Sequence, residues 1–430
     1  MNPCSTGLER LPSSWRIVPL KAVASYEVSN VDKHSHSDEL PVRLCNYTDV
    51  YKNDRITLDM DLMRATATED EISKFHLEVD DVVITKDSET WNDIAVPALI
   101  AETDDDLVCG YHLAILRAMP HVLSGKYLMR AVQSRPVALQ LELASTGVTR
   151  CGLPKGAIGS AKIPLPDLPT QRRITSYLDR ETARIDALVA EKERMLALLE
   201  QKRAALISRV VTRGLNPKAP TKPTGFEWLP TIPAHWRLAK MGRLFSQVKR
   251  LGFPDEEVLS VYREYGVVIR SDRDDNANRV PEDLSKYQLV RKGDLVINKM
   301  KAWQGSLGIS DYDGITSPDY VVFTPQHQEN PLFLHLLLRV DRMKAVYHSM
   351  SNGIRTNQWR IEPDRFLSFH LYLPPLDEQQ EIVAQVKTQT EKSRSLGNVL
   401  RDSVALLKER RSALITAAVT GKISVNEMTT

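Results

Sequence analysis

Cationic and amide side chains come together in a short segment of the second half of this sequence, Asn298–Gly305. The segment contains Lys299, Lys301, Trp303 and Gln304. Lysine neutralises phosphate groups, and a glutamine amide can pair with an adenine edge through two hydrogen bonds. Because the segment follows a predicted strand, we expect a loop that contacts a nucleic acid. The alternative is a solvated hairpin that binds nothing.

A second segment of the same kind is Asn352–Arg360. Its candidate contacts are Arg355, Thr356, Asn357, Gln358 and Arg360. Arginine pairs with guanine through two hydrogen bonds, and asparagine or glutamine pairs with adenine. These residue types therefore predict base recognition, whereas Trp359 is expected to pack against the protein rather than to stack on a base.

The matching places in the first half are Lys86–Asn92 and Thr146–Lys155. The candidate contacts there are Lys86, Asn92, Arg150 and Lys155. This half is acidic, because residues 1–169 hold 17 Lys and Arg against 24 Asp and Glu. Duplex DNA requires a basic face. We therefore expect a DNA contact in this half to need basic residues gathered on one side, or phosphate contacts from a partner.

A search for catalytic motifs is negative. The chain has neither a glycine-rich nucleotide loop nor an Asn-Pro-Pro-aromatic methyltransferase motif. His34 and His36 lack further ligands at metal-binding spacing, so a solvated loop is favoured there. No Ser/His/Asp or Cys/His set stands out. We predict no catalytic residue, no metal site and no cofactor in this chain.

Composition indicates an ordinary globular protein. The 430 residues suffice for two or three domains, and 42% are hydrophobic and 26% charged, with a net charge of +2. No stretch is long enough to span a bilayer, and the first residues lack the order of a signal peptide. The four cysteines are scattered and form no CxxC pair. A reduced, cytoplasmic protein is therefore expected.

Two long helices are the elements on which the rest of the chain depends. They are predicted at about Thr170–Thr212 and Glu378–Thr420, each after a proline-rich entry and each followed closely by glycine. The two stretches align without a gap at a constant offset of 208 residues. That offset is far longer than a solenoid repeat, so it indicates a duplicated half-protein.

Each long helix has a heptad pattern of apolar residues. Arg203 and Arg411 interrupt this seam at the same place in both copies. Each helix would be roughly 64 Å long at 1.5 Å per residue, so we expect the two to pair with each other or with partner helices. The alternative is that each is an ordinary core helix of its own domain.

The segment before each long helix predicts an α+β domain. Predicted strands are Asp81–Thr85, His112–Leu116, Asp294–Asn298 and Tyr320–Phe323. A helical stretch follows in each half, near Gly125–Leu143 and Leu332–Met350. Trp15 and Trp236 are expected to be packing anchors at the domain starts. These segments share their order but little sequence, which suggests that the helices meet similar partners and the domains meet different ones.

The domain boundaries follow from this pattern. We assign residues 1–165 to a first domain, 166–214 to the first long helix, 215–373 to a linker and second domain, and 374–430 to the second long helix and tail. The proline-rich stretch Asn216–Gly225 is predicted to be a semi-rigid connector.

The sequence resembles the specificity subunits of type I restriction–modification systems. The resemblance is carried by the helix entries Leu165–Ile174 and Leu373–Ile382, the helix ends Lys202–Ile207 and Arg410–Ile415, and the segments Gly293–Met300 and Gly314–Tyr320. Two places depart from the family pattern. Asp87–Trp91 stands where a basic loop is expected, and Thr170 replaces the acidic residue found at Glu378.

The resemblance implies a pseudo-twofold α+β protein with two target-recognition domains separated by an antiparallel coiled coil. Each domain would read one half of a split target in double-stranded DNA, and the helices would set the spacing. Two methyltransferase (modification) subunits carrying S-adenosylmethionine would dock along the helices. Restriction/translocase subunits would join that complex, so ATP and Mg would also lie on partners. The chain itself would be a non-catalytic DNA-binding subunit.

Two other functions remain open from the sequence. A scaffold that binds other proteins without DNA specificity is suggested by the acidic first half. A fused methyltransferase or nuclease is opposed by the missing cofactor motifs.

Overall fold

The computed structural model of the protein describes residues 8, 11–273, 280–353 and 359–428. It divides into two compact units. Unit 1 comprises Met1–Glu193 and Arg401–Thr430, and unit 2 comprises Arg194–Leu400. Each of the two long helices therefore supplies one part of its length to unit 1 and the other part to unit 2.

Unit 1 is a mixed α+β unit. Its strands are β1 (Arg16–Pro19), β2 (Ala24–Val28), β3 (Leu40–Cys45), β4 (Arg55–Ile56), β5 (Met63–Ala67), β6 (Val82–Thr85), β7 (Asp87–Ser88), β8 (Pro97–Ile100), β9 (Leu107–Cys109), β10 (Leu113–Ala118), β11 (Cys151–Gly152) and β12 (Lys162–Leu165). Its helices are α1 (Tyr47–Lys52), α2 (Glu69–Phe75), α3 (Gly125–Gln133), α4 (Arg135–Ala144), α5 (Lys155–Ser160) and the first part of α6 (Leu168–Arg213).

The core of unit 1 lies on the two faces of a five-stranded sheet with the order β2-β10-β6-β8-β4. Strand β6 is buried at every position because it lies in the middle of this sheet. Helix α3 and the first turns of α6 pack on one face, where Tyr127, Ile174 and Leu178 are fully buried. A three-stranded sheet, β5-β3-β9, belongs to the cluster on the other face.

Unit 2 is also a mixed α+β unit. Its strands are β13 (Thr221–Phe226), β14 (Leu229–Pro233), β15 (Arg237–Lys240), β16 (Phe245–Val248), β17 (Leu259–Tyr262), β18 (Gly266–Ile269), β19 (Gln288–Val290), β20 (Leu295–Asn298), β21 (Leu307–Ile309), β22 (Gly314–Thr316), β23 (Tyr320–Pro325), β24 (Ser351–Asn352), β25 (Arg360–Ile361) and β26 (His370–Leu373). Its helices are α7 (Met241–Leu244), α8 (Pro331–Leu338), α9 (Met343–Ser349), α10 (Pro363–Ser368) and the first part of α11 (Leu376–Val419).

The two units repeat one arrangement. The strand before each long helix pairs antiparallel with the strand that directly follows Trp15 or Trp236, β12 with β1 and β26 with β15. The antiparallel order β2-β10-β6 in unit 1 matches β16-β23-β20 in unit 2. The helix pair α3 and α4 matches α8 and α9 in chain order. The predicted α+β class and internal duplication are therefore confirmed.

The long helices extend as the heptad pattern predicts. Helix α6 has 46 residues and α11 has 44, and each end lies within two residues of the predicted boundary. The seam positions run every three or four residues from Leu178 to Val210 and from Val386 to Ala418, and each of them is buried or half-buried. In unit 1, Asp186 lies 2.9 Å from Arg411, and Glu193 lies 3.3 Å from Lys408. The residue numbers of the contacting pairs rise along α6 as they fall along α11, so the two helices are antiparallel in unit 1.

The two seam arginines have different surroundings. Arg411 forms ion pairs with Asp54 and Asp186 within unit 1. Arg203, in unit 2, lies 3.5 Å from Glu200 on its own helix, which is its one ion-pair contact among the described residues. The residue 208 positions after Asp186 is Arg394. Because this replacement reverses the charge, the second copy cannot repeat the contact that holds Arg411.

A buried glutamine joins each long helix to its domain. The side chain of Gln379 accepts from Asn330 N–H (2.9 Å) and donates to Pro374 O (3.0 Å). Gln171 accepts from Ser124 N–H (3.0 Å) and donates to Pro166 O (2.9 Å). Both side chains are fully buried. These matching bonds connect the start of the long helix to the N-terminus of α8 in unit 2 and to the N-terminus of α3 in unit 1.

The lead-in tryptophans are packing anchors, as predicted. Trp236 is fully buried, and a Cβ on Gly214 would lie 3.6 Å from its ring. Trp15 packs on the unit 1 core, and a Cβ on Gly421 would lie 3.5 Å from its ring. Both glycines follow the last turn of a long helix with φ near +70° (72° and 69°), a conformation that favours glycine at a helix end.

Three local predictions were incomplete. The connector Asn216–Gly225 is not wholly irregular, because β13 pairs with β14 as an antiparallel hairpin. The helical stretch near Gly125–Leu143 is two helices that break at Ser134, just before Pro136. Proline lacks an N–H and favours the first turn of a helix, so it starts α4. The stretch near Leu332–Met350 is likewise divided into α8 and α9.

Candidate nucleic-acid interface

The first candidate segment of unit 2 lies at the end of β20, next to the described C-terminal end of the second candidate segment. Lys299 N–H donates to Asp319 O at 3.1 Å, and Ile361 N–H donates to Lys299 O at 3.0 Å. The side chain of Asn298 accepts from the backbone N–H of Lys301 at 3.1 Å and thereby holds the turn. These bonds bring the segment after Asn298 against the segment that ends at Ile361.

The cationic side chains of this turn are available to a ligand. Lys301 is exposed, and Lys299 and Gln304 are half-buried. Within the described part of the chain, neither lysine has an ion-pair partner. Arg360 on β25 is also exposed. Arg355, Thr356, Asn357 and Gln358 lie outside the described residues.

An aromatic cluster supports the same turn. Trp303 donates from Nε1 to Met300 O at 3.1 Å, and its ring centroid lies 5.8 Å from that of Trp359 in an edge-to-face arrangement. The Trp359 ring lies 4.2 Å from the ring of His348 on α9. Trp359 therefore packs as expected. Trp303 is also engaged in packing, which leaves only part of its half-buried ring to a ligand.

Unit 1 repeats the pair of backbone hydrogen bonds that Lys299 makes, and we call this pair of bonds the backbone frame. Lys86 N–H donates to His112 O at 2.8 Å, and Leu153 N–H donates to Lys86 O at 2.8 Å. These bonds match those that Lys299 makes in unit 2. Strands β7 and β11 pair beside them, so the candidate segments after Lys86 and before Lys155 are neighbours. The side chains on the two frames differ, although the frames agree.

The side chains of unit 1 form a charged cluster around Asp87. Lys86 Nζ lies 2.8 Å from Asp87 Oδ1, and His112 Nδ1 lies 2.5 Å from Asp87 Oδ2. Arg150 Nη2 lies 3.0 Å from His112 Nε2. Partial burial raises the pKa of Asp87, but the hydrogen bonds from Lys86 and His112 outweigh burial, and the net result is a pKa below its usual range. Asp87 is therefore a carboxylate at neutral pH.

The four candidates of unit 1 have different settings. Lys86 and Arg150 meet at this cluster, but Lys86 is half-buried and neutralised by Asp87. Lys155 begins α5 and lies 2.8 Å from Glu27, away from the cluster. Asn92 is exposed and forms no side-chain hydrogen bond with the described residues. Arg150 is thus the most accessible cation of this cluster.

Sequence reasoning missed two members of this cluster. Asp87 looked like a departure from a basic loop, and His112 was assigned only to a predicted strand. The structure places the Asp87 carboxylate between Lys86 and His112. A basic residue directly before an acidic one was the only sequence signal, and it did not identify the histidine.

The described ranges contain no candidate metal centre. No group of three or more His, Cys, Asp or Glu residues is placed to hold a metal ion among residues 8, 11–273, 280–353 and 359–428. Over the same ranges no helix is long and apolar enough to cross a bilayer. His34 contacts Asp32 at 3.3 Å on the surface, as a solvated loop would.

Comparison with known proteins gives a family match for part of the chain and a shared fold for nearly all of it. Residues 240–396 match the family model of the type I restriction modification DNA specificity domain. A chain from a structure described as the assembly and conformational transition of the type I R-M system has a TM-score of 0.67, with 16% identity over 96% of this chain and 100% of that chain. It shows that the two share a fold. No curated protein matches the sequence.

Two further solved structures have related descriptions. The HsdS subunit from Thermoanaerobacter tengcongensis has a TM-score of 0.49 and 16% identity over 98% of this chain and 100% of that chain. The S subunit from M. genitalium has a TM-score of 0.35 and 12% identity over 96% and 97%. Residues 240–396 therefore match the type I restriction modification DNA specificity domain, and the chain as a whole has the fold of the structure with the TM-score of 0.67.

Proposed function

We propose that this protein is the sequence-specific DNA-binding subunit of a type I restriction–modification complex and reads a split target, one half per recognition domain. The observation that carries the proposal is the repeated backbone frame around Lys86 and Lys299. Equal frames with different side chains are what two readers of different sequences require. The recognition domains correspond to residues 1–165 and 215–373, joined to helical segments 166–214 and 374–430.

Contacts to DNA in the second domain come from Lys299, Lys301, Gln304 and Arg360, with the segment 355–358 between β24 and β25. Lysines position the phosphates, and the arginine and amide side chains read base edges. In the first domain, Arg150 supplies the main cationic contact. Asn92 and Lys155, at the ends of the candidate segments Lys86–Asn92 and Thr146–Lys155, supply further contacts.

The long helices also carry apolar residues outside the seam. In unit 2, Leu198 and Val399 are 56% and 62% exposed, and in unit 1, Leu188 and Leu406 are 52% and 65% exposed. Such side chains favour docking of partner helices. Two modification subunits would bind there and carry S-adenosylmethionine, and restriction/translocase subunits would add ATP and Mg. This assembly would act in the cytoplasm.

A binding selection tests the function directly. The full chain is assembled with modification subunits and incubated with a random-sequence duplex library, and the bound DNA is sequenced and footprinted. We expect a motif of two short sequences separated by a spacer of fixed length. The modification subunits alone are the control. Enrichment of no motif would refute DNA specificity and favour a scaffold that binds only proteins.

A further inference from the structure

His112 has a backbone conformation that is costly for its residue type. Its φ is 69°, in the left-handed region, and only Asp80 and Ala95 share a positive φ among the non-glycine residues that the structure describes. Strained residues of this kind persist only where the surrounding structure holds them, and they concentrate at functional sites. The position of His112 just before β10 places its ring between Asp87 and Arg150.

The contacts of His112 determine its tautomer. A guanidinium group has only donors, so the Nε2 atom that faces Arg150 Nη2 at 3.0 Å must be the acceptor. The proton of the neutral ring then lies on Nδ1, which donates to Asp87 at 2.5 Å. Asp87 thereby fixes His112, and His112 fixes one nitrogen of Arg150. Lys86, the remaining charged neighbour, is bound to Asp87 itself.

The loop around Arg150 presents its side chain to solvent. Two hydrogen bonds between Thr146 and Gly152, at 2.9 and 2.8 Å, close the loop. Gly147 has φ +133°, and a Cβ there would lie 2.0 Å from Arg150 O, so the turn requires glycine. Val148 at the tip is 99% exposed. The other N–H groups of Arg150 have no partner in the described ranges, and they remain available to a ligand.

We propose that Arg150 reads a guanine in the half-site of the first recognition domain, and that His112 and Asp87 are positioning residues that orient its guanidinium group. The inference rests on the proposed function. A guanidinium group held at one nitrogen keeps a fixed plane and a free edge, which matches the O6 and N7 acceptors of guanine. A phosphate contact would need only a point charge and no such support.

Substitutions of Arg150 test the base contact. The wild-type complex with modification subunits is first used to select its target, and variants are then assayed on that duplex and on duplexes with each base pair replaced. Arg150→Ala should reduce the preference for one G·C pair by roughly 5- to 150-fold. Arg150→Lys retains the charge but not the paired geometry, so it should lose the same preference while the salt dependence of binding stays unchanged.

The variant His112→Asn tests the positioning role. Asparagine tolerates a positive φ and can still donate to Asp87, but its shorter side chain offers no acceptor to Arg150. We expect the preference at the same base pair to fall by at least about 3-fold, with the second half-site unaffected. Lys162→Ala, which removes one exposed cation of the same unit, is the charge control, and thermal unfolding of each variant checks the fold.

The outcomes separate this inference from the proposed function. A wild-type complex that selects no split motif contradicts the function itself. If the split motif is selected but Arg150→Ala weakens binding to all sequences equally, the residue contacts phosphate and the inference is wrong. If Arg150→Lys keeps the full preference, or His112→Asn leaves it unchanged, the guanine contact or the positioning role respectively is overturned.

Discussion

Replacement of Gln379 by leucine should loosen the second recognition domain from its long helix. The Gln379 side chain accepts from Asn330 N–H, and it donates to Pro374 O at 3.0 Å and to Glu329 Oε2 at 2.5 Å. Leucine has nearly the same volume, but it can make none of these bonds. The substitution therefore removes the partner of the half-buried Asn330 donor and of the buried Pro374 acceptor, next to the fully buried position 379.

The size of the effect follows from these unmade bonds. A buried polar group without a partner costs about 1–3 kcal/mol, and neighbouring losses add incompletely. We therefore expect the Gln379→Leu substitution to lower the free energy of unfolding of unit 2 by about 3–5 kcal/mol. Gln379→Glu should also destabilise, because its carboxylate would face the carboxylate of Glu329.

Gln171→Glu is the matched control for that charge effect. The amide of Gln171 donates to the backbone oxygens of Val122 and Pro166, with no carboxylate among these acceptors. Hydrogen exchange of the full chain, followed peptide by peptide by mass spectrometry, measures each unit separately. Faster exchange at the start of α8 in Gln379→Leu is expected. Unchanged exchange there, or equal effects of the two glutamate substitutions, would refute the reasoning.

Three further predictions concern stability and spacing. Arg411→Ala should lower the free energy of unfolding of unit 1 by about 2 kcal/mol, because Asp54 and Asp186 lose their half-buried partner. Arg203→Ala, its match in the first long helix, should cost under about 0.5 kcal/mol in the same denaturant titration. Burial, with Arg339 nearby, lowers the pKa of His335 to about 4. The unfolded chain therefore binds more protons below pH 6.5, and stability should fall by up to about 3 kcal/mol between pH 6.5 and 4. A His335→Gln variant that keeps the same pH dependence would contradict this. Insertion of one heptad in both α6 and α11 lengthens each by roughly 10 Å. The selected spacer should then grow by about two to three base pairs with both half-sites unchanged, and an unchanged spacer would exclude a ruler.

The long helices could be predicted from sequence because their signals are local and repeated. A seam that persists over many heptads, with a proline-rich entry and glycine beyond the end, needs no tertiary information. The strands β6 and β20 were also predictable from short β-branched runs. Helix α4 was not separated from α3, although Pro136 marks its start, because the apolar pattern continues across Ser134.

The charged cluster of unit 1 could not be predicted, since its members lie far apart in the chain. Asp87, His112 and Arg150 meet only after β7 pairs with β11 and β10 enters the sheet. The positive φ of His112 likewise depends on the surrounding fold, and it could not be predicted because the residue is not glycine. The hairpin of β13 and β14 was missed because the prolines around Pro223 favoured an irregular connector. An edge strand such as β13, however, tolerates proline.

The repeated frame suggests how one sequence supports two specificities. Backbone hydrogen bonds of Lys86 in unit 1 and of Lys299 in unit 2 hold the two candidate loops of each unit together in the same way. Side chains on those segments can then change without loss of the frame. The candidate loops of unit 1 carry the charged cluster around Asp87, whereas those of unit 2 carry the ring pair Trp303 and Trp359. Each domain thus supports its candidate loops by different chemistry.

Base-resolution mapping of adenine methylation tests the central claim most directly. Genomic DNA is compared from cells that express the modification subunits with this chain and from cells that express them without it. We predict methylation on both strands of one split motif, present only with the chain. Methylation that is the same with and without the chain, or a motif that is not split, would contradict it.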